Sequence, residues 1–142
     1  MGTRISRLEF RRMFAAIHQG LFIFESERRI PKELPVIHLG QRVSDRLCAM
    51  NADERRFQID SVLREIIAAD AAVHLTHIEV LFAPTLGINA LGALLALCRN
   101  KKICLAWPGK VEDGRLIYGE PSQPDYYIAD YSNMIDTYII TE

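Results

Sequence analysis

The chain reads as an α/β protein with three layers around a mostly parallel sheet and a small β-hairpin toward its C-terminus. Three observations predict this. Strand-like apolar runs alternate with segments of helical period along the whole sequence. The central stretch Val73–Gly109 reads strand, turn, helix, strand, turn, which is a βαβ unit. Asp113-Gly114 then separates two short strand-forming segments, the pattern of a tight hairpin turn.

Within the centre, Val73–Phe82 is rich in β-branched and large apolar residues, as a strand should be. Ile103–Trp107 is apolar without alternation, which suits a strand covered on both faces. Between them Leu91, Leu94, Leu95 and Cys98 recur at helical spacing, so a helix is predicted over Leu86–Asn100. That helix is apolar almost all round, and either the core or a second subunit must cover it.

The elements before the centre follow in order. Ser6-Arg7-Leu8-Glu9 fits a capping box and starts a helix over residues 6–19, with Phe10, Met13, Phe14 and Ile17 on one face and Gly20 as its stop. This helix could be an appendage to a domain spanning residues 1–142. Arg4, Arg7 and Arg11, with Arg12 alongside, lie on its other side. Such a stripe is ordinarily a solvated face, and alternatively docks a phosphate backbone or an acidic partner. Leu21–Phe24 and Pro35–Leu39 are short strands joined by the polar segment Glu25–Leu34. That link is near the lower limit for a crossover with a helix, so either the helix is vestigial or the two strands are not neighbours. Val43, Leu47 and Met50 mark a short helix. Asn51 and Glu54 cap a second one whose apolar face is Ile59, Val62, Leu63, Ile66 and Ile67. After the hairpin, Gly119–Asp130 is a loop packed by Tyr126 and Tyr127, and Met134–Ile140 is a final strand.

Charged residues make up 25% and the net charge is −1, so no global field draws the chain to nucleic acid or anionic lipid. DNA binding would rest on the arginine stripe alone. The three cysteines, Cys48, Cys98 and Cys104, share no CxxC spacing and lie in apolar patterns, as reduced core residues of a cytoplasmic protein would. The opening arginines with no long apolar block do not read as a signal peptide, and no membrane partner is expected.

Motifs for chemistry are sparse. No GxxxxGK[ST] or GxGxxG stretch occurs, and the segment after the first apolar strand, Glu25-Ser26-Glu27, holds carboxylates where a phosphate cradle would need glycine. His74 and His77 point to opposite faces if both lie on one strand, and His77 with Glu79 supplies only two ligands, so no metal is expected. No nucleophile elbow is present, and Glu112, Asp113 and Glu120 flank a hairpin they more naturally solvate.

Several segments together resemble a known family: Ile78–Pro84, Cys98-Arg99-Asn100, Leu105-Ala106-Trp107-Pro108-Gly109, Asp113–Leu116, Tyr118–Pro121 and Pro124-Asp125-Tyr126. They are similar to BrxF, the small P-loop protein of type 3 BREX, a bacterial phage-exclusion system, over roughly Val36 to Ile140. The resemblance implies a P-loop NTPase-like sheet, ATP and magnesium as cofactors, and other proteins of the defence system as partners. This chain departs from that pattern in two places. The glycine-rich loop is missing, and the position of the magnesium-organising aspartate falls on Thr76, a poor magnesium anchor. Glu79 is the one carboxylate left for any residual catalysis. The expectation is a degenerate, non-catalytic member that binds no cofactor and acts through protein contacts, with the four arginines, Trp107, Tyr126 and Tyr127 as anchors; homo-oligomerisation stays open.

Two other readings compete. One is a nucleotide-responsive switch with a nonstandard site from Arg28, Arg29, Lys101 and Lys102. The other is a STAS-like regulatory domain, because Ile88–Leu97 before a strand is similar to that family's core. A STAS sheet contains an antiparallel N-terminal pair, whereas an NTPase-like sheet has a parallel centre.

Overall fold

A computed structural model describes residues 2–141. Its main sheet has six strands: β1 (Thr3–Ser6), β2 (Gly20–Phe24), β3 (Val36–His38), β4 (Ala72–Thr76), β5 (Lys102–Ala106) and, last in the chain, β9 (Thr137–Thr141). Their order is β1-β9-β2-β5-β4-β3, and every neighbouring pair is parallel. A second, antiparallel sheet comprises β6 (Lys110–Glu112), β7 (Arg115–Tyr118) and β8 (Tyr127–Asp130). The helices are α1 (Arg7–Phe14), α2 (Leu39–Leu47), α3 (Ala52–Ile67) and α4 (Ala90–Leu97).

The two-residue period of a strand explains why β2 is apolar throughout. All five of its residues are buried, and they alternate between two cores. Leu21 and Ile23 join the larger core with Leu75 and Leu105, beneath α2, α3 and α4. Phe22 and Phe24 join a smaller core on the other face with Phe10 of α1, Ile30 and Ile140. There Phe10 meets Phe22 and Phe24 edge-on at centroid distances of 5.4 and 5.0 Å. The predicted parallel βαβ unit is present: β4 and β5 are neighbours, and α4 crosses between them.

Several elements differ from the sequence expectation. The strand predicted over Val73–Phe82 stops at Thr76. His77 takes a left-handed conformation (φ 56°), and Ile78–Phe82 form a 3-10 turn that buries Ile78, Leu81 and Phe82. The helix predicted from Leu86 to Asn100 spans only Ala90–Leu97, because Gly87 (φ 61°) breaks the chain and Asn89 supplies the cap by accepting from Gly92 N at 3.2 Å. The predicted helix over 6–19 is shorter, Arg7–Phe14, and β1 precedes it. The loop expected over Gly119–Asp130 contains β8, so the hairpin grows into a three-stranded sheet. The link after β2 holds only a 3-10 turn (Glu27–Arg29), and β5 and β4 lie between β2 and β3. Cys48 is exposed rather than buried, whereas Cys98 and Cys104 are in the core.

Candidate functional site

Because the main sheet is wholly parallel, the carboxyl ends of its strands share one edge, where open α/β sheets ordinarily bind ligands. After β2 the chain turns through Glu25–Ile30. Ser26 Oγ accepts from Arg28 N (3.3 Å), Arg29 N donates to Ser26 O (3.2 Å), and Ile30 N donates to Glu27 O (3.1 Å). Three consecutive amides are therefore satisfied inside the turn rather than presented to a ligand. Glu25 and Glu27 are exposed beside them.

At the end of β4, Thr76 Oγ1 donates to Ile37 O at 3.4 Å, leaving its lone pairs to accept from His77 Nδ1 at 3.1 Å. The left-handed turn lays His77 flat on His38, with ring centroids 3.7 Å apart. His38 Nδ1 accepts from Gln41 N (3.0 Å) and so caps α2. Stacked rings carry their nitrogen lone pairs in parallel planes, which do not converge on one ion. Among the described residues no group of three or more His, Cys, Asp or Glu is placed to hold a metal. Glu79 is exposed in the next turn, on the 3-10 segment rather than on a strand. Burial, then the charges of Asp125 and Glu79, push the nearby Tyr118 phenol up.

His74, on β4, points to the smaller-core face. Its Nε2 is buried without a hydrogen bond, 3.9 Å from Glu27 Oε1. Desolvation holds its pKa below the ordinary histidine value, with Glu27 opposing more weakly.

The aromatic anchors expected from sequence lie mostly inside the molecule. Trp107 is buried and donates from Nε1 to Ile117 O at 2.9 Å, and Phe82 packs against it edge-on. Tyr127 Oη donates to Asn89 Oδ1 (2.6 Å) and accepts from Leu91 N (3.3 Å), so it completes the cap of α4. Tyr126 is half-buried. These rings fasten the small sheet to the main body.

The arginine stripe is divided. Arg4 is exposed on β1, and Arg12 is exposed on α1. Arg7 and Arg11, one helical turn apart, line a cleft of about 260 Å³ together with Arg29 and Glu33, above Phe10 and Phe24. Leu8 is exposed on the same helix.

No family model, no curated protein and no solved structure matches this chain.

The cations of the nonstandard nucleotide site do not assemble. Lys101 and Lys102 stand at the start of β5, whereas Arg28 and Arg29 follow the end of its parallel neighbour β2, roughly 13 Å further along the sheet. Lys101 Nζ donates to Asp70 O (2.5 Å), and Lys102 Nζ donates to Phe14 O (2.6 Å).

Two features had no place in the sequence reading. One is the approach of His74 to Glu27, which are distant in sequence and meet only through the β2–β3 link. The other is a groove of about 770 Å³ between α3 and α4, and Phe57 is exposed on α3 one turn before Asp60, which lines it. Phe57 lies off the apolar stripe of α3, and that displacement was a readable signal.

Proposed function

We propose that this protein is a non-catalytic interaction component of a bacterial anti-phage, BREX-like assembly, built on a P-loop-like sheet that has lost its phosphate cradle. The observation that carries the non-catalytic part is the turn after β2. Its amides at Arg28, Arg29 and Ile30 are bonded locally, and Glu25 and Glu27 repel polyphosphate. The wholly parallel sheet with β2 near its middle supports an NTPase-like ancestry and counts against the STAS-like reading, which requires an antiparallel pair. The assignment to a defence assembly is supported by the resemblance of Ile78–Pro84, Leu105–Gly109, Asp113–Leu116 and Tyr118–Pro121 to BrxF.

The contact surface is the outer side of α1, where exposed Leu8 lies one helical turn from exposed Arg11 and Arg12. A protein with an acidic patch fits it better than DNA does, because the chain's net charge supplies no long-range attraction to a phosphate backbone. Calorimetric titration with Mg-ATP and Mg-GTP is expected to give no binding heat. Micromolar binding with magnesium-dependent hydrolysis, lost in Glu79→Gln, would overturn the reading. Capture of proteins encoded beside this one should weaken when Arg11 and Arg12 are both changed to Glu.

A further inference from the structure

We infer that the groove between α3 and α4 is a self-association surface, occupied in solution by α3 of a second copy in a twofold, antiparallel arrangement. The groove is apolar along its floor, with Leu63, Ile67, Ile88 and Leu97, and α4 contributes the small residues Gly92 and Ala96 at its open side. Small residues one turn apart let a second helix approach closely. The groove is unfilled by the chain's own side chains, so a helix apolar nearly all round has one side uncovered.

The occupant is indicated by what stands on the same face of α3. Phe57 is 83% exposed, a large aromatic left in water on a helix whose core stripe is otherwise complete. Phe57, Asp60, Ser61, Arg64 and Ala68 fall at helical spacing on one side of α3, and Asp60, Arg64 and Ala68 of that ridge line the groove. With the twofold axis at the level of Val62, an antiparallel second α3 sets Asp60 opposite the partner's Arg64 and Arg64 opposite the partner's Asp60. The same register carries Phe57 to the level of the partner's Ile67, the apolar part of its groove. Ser61, short enough for close contact, lies near the axis. One register thus satisfies the charges and the exposed ring together. That self-complementarity is what an isologous interface requires, and it favours a second copy over an unrelated helix.

Sedimentation equilibrium of the intact chain up to about 100 μM tests this, since a dimer of useful affinity is populated there. The expected result is a monomer–dimer equilibrium that Phe57→Ser weakens about tenfold or more, as loss of a buried aromatic anchor does. Asp60→Arg alone and Arg64→Asp alone are each expected to be monomeric, because each sets like charges opposite one another. An equimolar mixture of those two variants is expected to associate, since every facing pair is then opposite in sign. All the altered side chains lie on the exposed ridge, and circular dichroism melts verify that each variant is folded. A wild-type monomer throughout the range, or a mixture that stays monomeric, overturns the proposal; so does a dimer indifferent to Phe57→Ser.

Discussion

A methyl group added at Gly109 would lie 2.0 Å from Ile117 O, so no side chain fits where the chain leaves β5 for the small sheet. Trp107, two residues earlier, bonds the same carbonyl, and the pair explains why Trp-Pro-Gly occupies this corner. Gly109→Ala is expected to cost about 2–3 kcal/mol, the scale of overpacking against rigid backbone, measured as a lower urea midpoint. His74 gives a pH signature. Its folded-state pKa lies below the ordinary 6.5, so the unfolded chain takes up the proton first as pH falls. Stability is therefore unaffected at high pH, declines as pH drops below 6.5, and levels off beneath the folded-state value. In His74→Gln this part of the acid slope should vanish from denaturation curves recorded between neutral and mildly acid pH. At this scale the sequence revealed which residues are apolar but not which polar ones are confined. That the Nε2 of His74 would be shut away from water near Glu27 depends on how the β2–β3 link folds back, a long-range fact. The buried thiols were readable: burial, aided by Asp136, pushes Cys98 up to about 12, and Cys104 is also raised, so neither is a ready thiolate at neutral pH.

Among the elements, α4 shows how a short helix is held by distant residues. Its own sequence has no charged residue, and its N-terminal amides are satisfied by Asn89 and by the Tyr127 hydroxyl from β8. Tyr127→Phe removes that hydroxyl and leaves Leu91 N and Asn89 Oδ1 one partner short. A loss of about 1–2 kcal/mol is expected in urea denaturation. Long amphipathic helices were legible: α3 carries its capping box at Asn51 and Glu54 and buries the predicted stripe from Ile59 to Ile67. The Asp113-Gly114 turn was legible as well, with φ of 52° and 76° as such a hairpin demands. The short edge elements were not. In β1 only Ile5 is buried, and β8 has no fully buried residue, so neither carries a pattern that local reading can detect. The segment after Thr76 misled because Ile78, Leu81 and Phe82 are as apolar as a strand, and only the left-handed His77 reveals the change of direction.

At the scale of the whole molecule, the parallel sheet and its two cores followed from the alternation of apolar runs and helical periods, but strand order did not. Nothing local indicates that the last strand enters between the first two. The candidate site was legible mainly as a lack, the turn after β2 without glycine. The division of the arginines, the burial of Trp107 and the separation of Lys101 from Arg28 needed the fold. If the edge of the sheet binds no nucleotide, millimolar Mg-ATP should leave the thermal midpoint within about 1 °C, because a ligand stabilises only the state it binds. The position of β9 also orders events in time. Among the described residues, 137–141 supply the neighbour on one side of β2 and the only neighbour of β1. A ribosome making this protein must extrude residue 141 before the sheet can close, so one edge of Leu21–Phe24 stays unpaired until then, long after β5 and the helices that cover its faces have been made. A chain stopped after Asp136 should accordingly show no cooperative unfolding transition, and chaperones that grip extended apolar segments should find this nascent chain a long-lived client.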